Sequence, residues 1–292
     1  MPYLKENTYV RSCLYSPNGK SLAVGLRNGR INIYNTSTWT TTDTYAGHKK
    51  EVSNLAYSPT SHQLLSGSYD NTVRLWDCEN GACIFVLEGH TDEVWVVAFS
   101  PSGKQAASAG KDKTLRLWDF QAGANLFVLT DHAEWIRSIS YSPDGHAIVQ
   151  WIATCSSDNT AKVWSAATGS VLSVFTGHGF CVFQVAFSPN GLQLASCSLD
   201  CTIRLWDVST LGQADFVLRG HTERVSAVAF SADGRWIATG GKDKTVRLWD
   251  ARSGILDRVL EGHNHDVLFL VFSLNSHRVL SGSRDGAIRA WD

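Results

Sequence analysis

The chain holds 292 residues, 43% hydrophobic and 18% charged, with 11 Trp. That is too apolar and aromatic for a disordered chain, and it is long enough to bury a large core. Lys+Arg 26 against Asp+Glu 27 leaves a formal net charge of −1, which excludes the global positive field of a nonspecific nucleic-acid binder. The seven Cys lack dense spacing, and the first residues, MPYLKENTYV, carry no basic-then-apolar leader. Both features predict a reducing compartment, cytoplasmic or nuclear. The longest apolar runs, Val94 to Phe99 and Val267 to Phe272, are strand length and far short of the ~20 residues that cross a bilayer, so no membrane partner is expected.

Seven similar units follow one another. Unit 1, YVRSCLYSPNGKSLAVGLRNGRINIYN, closes its apolar run at Tyr34. The next six close at Trp76, Trp118, Trp164, Trp206, Trp249 and Trp291, with spacings of 42, 42, 46, 42, 43 and 42. Ser-Pro steps at Pro17, Pro59, Pro101, Pro143 and Pro189 keep the same beat. Unit 2 shows the internal pattern: VSNLAYS, QLLSGS, TVRLWD and CIFVLEG are four short apolar runs separated by turn residues, which predicts four strands. Unit 4 carries four extra residues in HAIVQWI before Ala153, and unit 6 one extra in VSTLGQ; insertions of that size fit hairpin loops. Four short strands cannot bury both faces alone, so the units must stack side by side. The expectation is an all-β chain, one domain over residues 1–292.

Gly-His recurs at Gly47-His48, Gly89-His90, Gly177-His178, Gly220-His221 and Gly262-His263, with Asp131-His132 in unit 4. Trp-Asp recurs at Trp76-Asp77, Trp118-Asp119, Trp206-Asp207, Trp249-Asp250 and Trp291-Asp292. On these dipeptides the sequence resembles the WD40-repeat β-propellers over essentially its whole length. The close likeness of units 2 to 7 is similar to the propeller arrays of fungal and bacterial NTPase-type sensors, here without an NTPase segment. The resemblance implies a seven-bladed β-propeller of four-stranded antiparallel blades, monomeric and closed by an N-terminal strand. Since the chain ends on the third strand of unit 7, that closing strand is expected near Pro2 to Leu4, antiparallel to Ala287 to Trp291, at the weakest seam.

In units 2 to 7 a His, a Ser or Thr, an Asp and a Trp stand in fixed phase. The sets are His48, Ser66, Asp70 and Trp76; His90, Ser108, Asp112 and Trp118; His132, Thr154, Asp158 and Trp164; His178, Ser196, Asp200 and Trp206; His221, Thr239, Asp243 and Trp249; and His263, Ser281, Asp285 and Trp291. A catalytic triad is needed once, whereas six copies serve a need that every unit shares, so no catalytic residue is assigned and no enzyme is expected. That need is partners for buried polar groups, and the resemblance implies a chain of hydrogen bonds from Trp through Ser/Thr and His to Asp. Unit 1 has Glu6, Val24 and Asn28 in those positions and ends Tyr34-Asn35, so it is expected to be the least tied. His263-Asn264-His265-Asp266 lacks further ligands at metal spacing, and Gly240-Gly241-Lys242-Asp243 leads into a strand instead of a helix. No metal and no cofactor is expected. Cys155 and Cys197 share one repeat position, and with Cys201 they read as core or turn residues.

The resemblance also implies that partners dock on the narrower face, to which three positions per unit project. They are Arg27, Tyr69, Lys111, Ser157, Leu199, Lys242 and Arg284 before the turn acid, and the pairs Tyr9/Arg11, Glu51/Ser53, Glu93/Trp95, Trp135/Arg137, Cys181/Phe183, Arg224/Ser226 and Asp266/Leu268. Seven are basic and three acidic. Trp95, Trp135, Phe183 and Leu199, with Lys111 and Arg137, have the aromatic-and-Arg composition of a binding hot spot. The partner-binding candidates are therefore Trp95, Trp135, Arg137, Phe183, Leu199, Lys111, Tyr69, Arg224, Lys242, Arg284 and Arg11. The expected function is a noncatalytic protein-interaction scaffold for a peptide or loop, acidic or phosphorylated, and not for nucleic acid. The alternative is a substrate receptor of a cullin-type ubiquitin ligase, which the single Asp243, Trp249-Asp250-Ala251-Arg252 pattern resembles.

Overall fold

The computed structural model describes residues 6–60, 62–120, 123–143, 150–209, 214–273, 276 and 278–292. The chain divides between Ile136 and Arg137 into two compact units. The first holds three sheets, or blades. Blade 1 is β1 (Val10–Tyr15), β2 (Ser21–Leu26), β3 (Arg30–Asn35) and β4 (Thr41–Ala46); blade 2 is β5 (Val52–Tyr57), β6 (Gln63–Ser68), β7 (Val73–Asp77) and β8 (Cys83–Leu87); blade 3 is β9 (Val94–Phe99), β10 (Gln105–Gly110), β11 (Leu115–Asp119) and β12 (Ala124–Leu129).

The second holds four. Blade 4 is β13 (Ile136–Tyr141), β14 (Trp151–Ser156), β15 (Ala161–Ser165) and β16 (Val171–Phe175); blade 5 is β17 (Val182–Phe187), β18 (Gln193–Ser198), β19 (Thr202–Asp207) and β20 (Ala214–Arg219). Blade 6 is β21 (Val225–Phe230), β22 (Trp236–Gly241), β23 (Val246–Asp250) and β24 (Leu256–Leu260), and blade 7 has β25 (Val267–Phe272), β26 (Val279–Ser283) and β27 (Ile288–Trp291). The fold is all-β, of the seven-bladed β-propeller class, with strands paired in sequence order within each blade. The expected closing strand near Pro2 to Leu4 lies outside the described residues.

The second strand of blades 1 to 6 is buried on both faces over nearly its whole length, which explains its small side chains. A Cβ added to Gly67 would meet Val94 and Val97 of the next blade at 2.9 Å, and one on Gly240 would meet Val267 at 2.5 Å. Cys155 and Cys197 fill this same position in blades 4 and 5, fully buried, and burial pushes both thiols up. Cores form between successive blades of a unit, as where Ile31 and Val52 meet Leu64 and Trp76, or Leu205 and Val225 meet Ile237 and Trp249. The Ser of each Ser-Pro step accepts the N–H five residues on, as in Gln63 to Ser58 (3.1 Å). In blade 4 the equivalent bond spans nine residues, Trp151 N to Ser142 Oγ at 3.0 Å, which accommodates the four-residue insertion. The insertion at 144–149, and 210–213 of the second one, lie outside the described residues.

Candidate functional site

Five blades repeat one polar chain. In blade 5 the Trp206 N–H donates to Ser196 Oγ at 2.8 Å, Ser196 lies 2.8 Å from His178 Nε2, and His178 Nδ1 lies 2.8 Å from Asp200 Oδ2. The corresponding His–Asp distances are 3.0 Å for His48–Asp70, 2.7 Å for His90–Asp112, 2.8 Å for His221–Asp243 and 3.3 Å for His263–Asp285. Ser66, Ser108, Thr239 and Ser281 each take the N–H of Trp76, Trp118, Trp249 and Trp291 at 2.8 Å. In blade 4 Trp164 donates to Thr154 at 2.8 Å and Asp158 accepts from Thr160; His132, in the first unit, is buried.

Proton counting fixes the direction of this chain. Trp can only donate and the Asp carboxylate can only accept, so a neutral imidazole carries its proton on Nδ1 and gives it to Asp, and its bare Nε2 accepts from the hydroxyl. The order Ser, His, Asp is that of a hydrolytic triad. Here, however, Ser196 is wholly buried and its oxygen is occupied by an indole N–H, so no substrate carbonyl can approach it.

Each Asp does a second job at the tight turn. Asp200 Oδ2 also accepts from Gly179 N, and Oδ1 accepts the N–H and hydroxyl of Thr202. Thr72, Thr114, Thr160, Thr202 and Thr245 all bond in this way. They were legible as Asp-x-Thr in fixed phase but lay outside the expected sets. Burial pushes the Asp200 carboxyl up, but donation from His178 and Thr202 outweighs it and holds the group well below the usual carboxylate range. Against the same burial, His221 and Thr245 hold Asp243 at about 2.

A depressed native pKa stabilises the fold above the unfolded value of about 3.9 and is lost as pH falls through the native value. Tryptophan fluorescence should therefore report destabilisation that steepens from about pH 4 to pH 2. Asp243→Asn, having no proton to take up, should flatten that slope; an unchanged slope would remove Asp243 from the account.

Blade 1 lacks the His, Ser and Asp of this chain. Expected to be the least tied, it has a tie of its own: Glu6, in the place of the His, accepts from Asn32 Nδ2 at 2.9 and 3.1 Å and from the Tyr34 hydroxyl. A carboxylate accepts from two donors at once, so it replaces the imidazole and hydroxyl together. The glycine of Gly-His also has a reason that spacing did not show. Gly89, Gly177 and Gly220 have φ of 141°, 138° and 158°, and a Cβ there would lie 2.5, 2.9 and 2.6 Å from the guanidinium groups of Arg116, Arg204 and Arg247.

The partner-binding candidates fall into two groups, one in each unit. In the first unit Trp95 and Trp135 meet edge to face, centroids 5.3 Å apart, and Trp135 keeps 36% of its surface exposed. The Trp95 N–H donates to Glu93 at 3.0 Å, and Lys111 lies 3.4 Å from Asp92 and 3.9 Å from Glu93. Arg11 sits 3.6 Å from Glu51 and donates to the Tyr69 hydroxyl at 3.2 Å.

In the second unit Phe183 has the guanidinium carbons of Arg137 and Arg224 at 5.7 and 5.6 Å from its ring centroid. Arg137 donates to Ser157 at 2.9 Å, and Arg224 pairs with buried Asp266 at 2.8 Å. Lys242 pairs with Glu223 at 2.9 Å, while Leu199 is 42% exposed. Beside it stands Phe180, 60% exposed and bound through its carbonyl to Ser198. Sequence reasoning missed Phe180 because it lies outside the three positions taken from each unit.

Four of the seven basic positions thus lie beside a carboxylate. Asp92 and Glu223, outside the positions counted, lower the local positive excess that the sequence suggested. Arg27 and Arg284 are exposed, with no ion pair among the described residues. Among the described residues no group of three or more His, Cys, Asp or Glu could hold a metal ion, and no helix is long and apolar enough to cross a membrane.

A comparison with curated proteins finds none that matches. The family described as WD domain, G-beta repeat matches seven times, over residues 3–35, 39–77, 81–119, 123–165, 169–207, 212–250 and 254–292. Each match ends one residue beyond the Tyr or Trp that closes a unit, and together they cover nearly the whole chain: the protein belongs to the WD40 repeat family.

Proposed function

We propose that this protein is a noncatalytic scaffold that captures a peptide or loop of a partner protein. WD40 domains are in general used for protein–protein interaction, and the observation that carries the reading here is the Trp95–Trp135 pair with its exposed indole. A large aromatic surface left to solvent gains free energy when a partner covers it. The Phe183 ring with two guanidinium groups over it, in the unit that also exposes Phe180 and Leu199, offers a second patch of the same composition.

Because most basic positions already have carboxylates, the ligand is read as an apolar or aromatic anchor with one acidic or phosphorylated group; the exposed cations with no ion pair among the described residues are Arg27 in the first unit and Arg284 in the second. Seven unpaired cysteines suit a reducing compartment, cytoplasmic or nuclear, and the scaffold is read as a monomer. The ligase-receptor alternative rests on the single pattern of Asp243 and Trp249-Asp250-Ala251-Arg252, whose Arg252 is exposed in the turn where Asp250 accepts its N–H at 3.1 Å.

The test is capture from lysate, identification of the bound segment and titration of that segment against both proteins. Trp135→Ala should weaken binding by about 2 kcal/mol or more and leave the melting curve in place. A loss of stability as large as that of a core Trp would mean that the pair is packing and not a docking site.

A further inference from the structure

Four Asn-Gly steps stand in this chain, Asn18-Gly19, Asn28-Gly29, Asn80-Gly81 and Asn190-Gly191. Each lies in a turn with its glycine at positive φ, 69°, 83°, 71° and 70°, and in each the Asn Oδ1 accepts the N–H two residues on. Such a step is able to react with itself, since glycine has no Cβ to keep its peptide nitrogen from the neighbouring amide carbon. In all four the glycine N–H is also held by a backbone carbonyl, at 2.8 to 3.2 Å, so that bond does not set them apart.

Donors, access and charge do set them apart. Asn18 Oδ1 takes the Ser16 hydroxyl at 2.8 Å, the shorter of that hydroxyl's two donor contacts, as well as the Lys20 N–H at 3.0 Å. Asn190 Oδ1 is held likewise by Ser188 and Leu192 at 2.6 and 3.1 Å, whereas Asn28 and Asn80 have on this oxygen only the N–H of Arg30 and of Ala82. Gly19 is exposed, and a Cβ placed on it meets nothing within 4 Å; Gly29 and Gly191 are buried, and a Cβ on Gly81 would meet the Tyr45 ring at 3.0 Å. Exposed Lys20 follows Gly19, while Glu79 precedes Asn80 and Asp77 accepts from its amide at 3.3 Å. Asn18 alone combines two donors, an open glycine and an adjacent cation.

We propose that Asn18-Gly19 is a self-modifying site, at which the Asn18 amide is converted to a carboxyl group. Hydroxide takes the Gly19 N–H proton, and the nitrogen attacks Asn18 Cγ. The carbonyl electron pair moves onto Oδ1, where the Ser16 hydroxyl and the Lys20 N–H meet the developing oxyanion. Collapse expels Nδ2, which leaves as ammonia with a proton from water, regenerating hydroxide and closing a five-membered succinimide. Water opening the bond from Cγ to the nitrogen gives Asp; opening the bond from the main-chain carbonyl gives isoaspartate. Nothing is oxidised or reduced. Blade 6 shows that the turn suits the first product: at the same position Asp233 Oδ1 accepts the Ser231 hydroxyl and the Arg235 N–H, and these donors hold its carboxyl below the usual range. The open space at Gly19 leaves room for the longer main chain of isoaspartate. Ser16 to Lys20 share no residue with the docking patches, so this site and the scaffold reading stand or fall separately.

The experiment holds the full folded chain in 18O-labelled water at mildly alkaline pH and follows all four steps by peptide mass spectrometry, with isoaspartate read by enzymatic methyl transfer. Asn18 is expected to convert first, about tenfold ahead of Asn28, Asn80 and Asn190, to a mixture of Asp and isoaspartate carrying 18O in the new carboxyl. Ser16→Ala should slow the conversion about tenfold, the rate equivalent of one hydrogen bond to a developing charge. Ser16 also accepts the Ser21 N–H at 3.0 Å, so Lys20→Gln, at an exposed position, decides the matter if that variant does not fold; it should slow the conversion by about two- to fivefold. Conversion at Asn18 no faster than at the other three, or a rate unchanged or raised in the folded variant, would overturn the proposal. Product without isoaspartate would mark direct hydrolysis with no succinimide and overturn it equally.

Discussion

Asp200→Ala is expected to lower the free energy of unfolding by about 3 to 5 kcal/mol, a large share of what a domain of this size possesses. The methyl group accepts nothing, so the His178 Nδ1–H, the Gly179 N–H and both donors of Thr202 lose their acceptor together. Buried donors without partners keep their full desolvation cost. Asn28→Ala, the equivalent change in blade 1, should cost only about 1 kcal/mol, since among the described residues Asn28 Oδ1 takes just the Arg30 N–H at 3.1 Å. In that blade the larger loss is expected at Glu6→Ala, which strands the Tyr34 hydroxyl and the Asn32 amide. Urea unfolding of the three variants ranks them; equal costs for Asp200→Ala and Asn28→Ala would contradict this account.

Trp206→Ala should cost a similar ~3 to 5 kcal/mol, the range for deleting a buried aromatic side chain. The indole is fully buried, packs on Phe175 and holds Ser196 in position. Trp206→Phe separates the two contributions. It keeps most of the ring contact and removes only the N–H, while the Ser196 hydroxyl can still donate to His178, so about 1 to 2 kcal/mol is expected. If Phe costs as much as Ala at this position, the hydrogen-bond chain dominates over packing in a way the geometry does not predict.

The amino-acid sequence by itself determined the number of repeats, the four-run pattern of each and the residues of the polar chain. The reason is physical: each blade must solve the same burial problem, so the same residue types recur in the same phase, and a phase is visible in one dimension. The Ser-Pro beat even located the insertion in blade 4. What one blade does differently is not visible in this way. The phase puts Glu6 in the His position, but that its carboxylate ties both Tyr34 and Asn32 follows only from where it lies against β3.

The same holds for charge. Counting positions suggested a basic face, but whether Lys111, Lys242 or Arg224 is available depends on which carboxylate its flexible side chain reaches, and two of those carboxylates come from neighbouring loop positions. Only the packing of one blade on the next decided that Phe183 stands between Arg137 and Arg224. Contacts between blades join residues some 42 positions apart, and their size complementarity is settled by both partners at once, which a pattern within one repeat cannot carry.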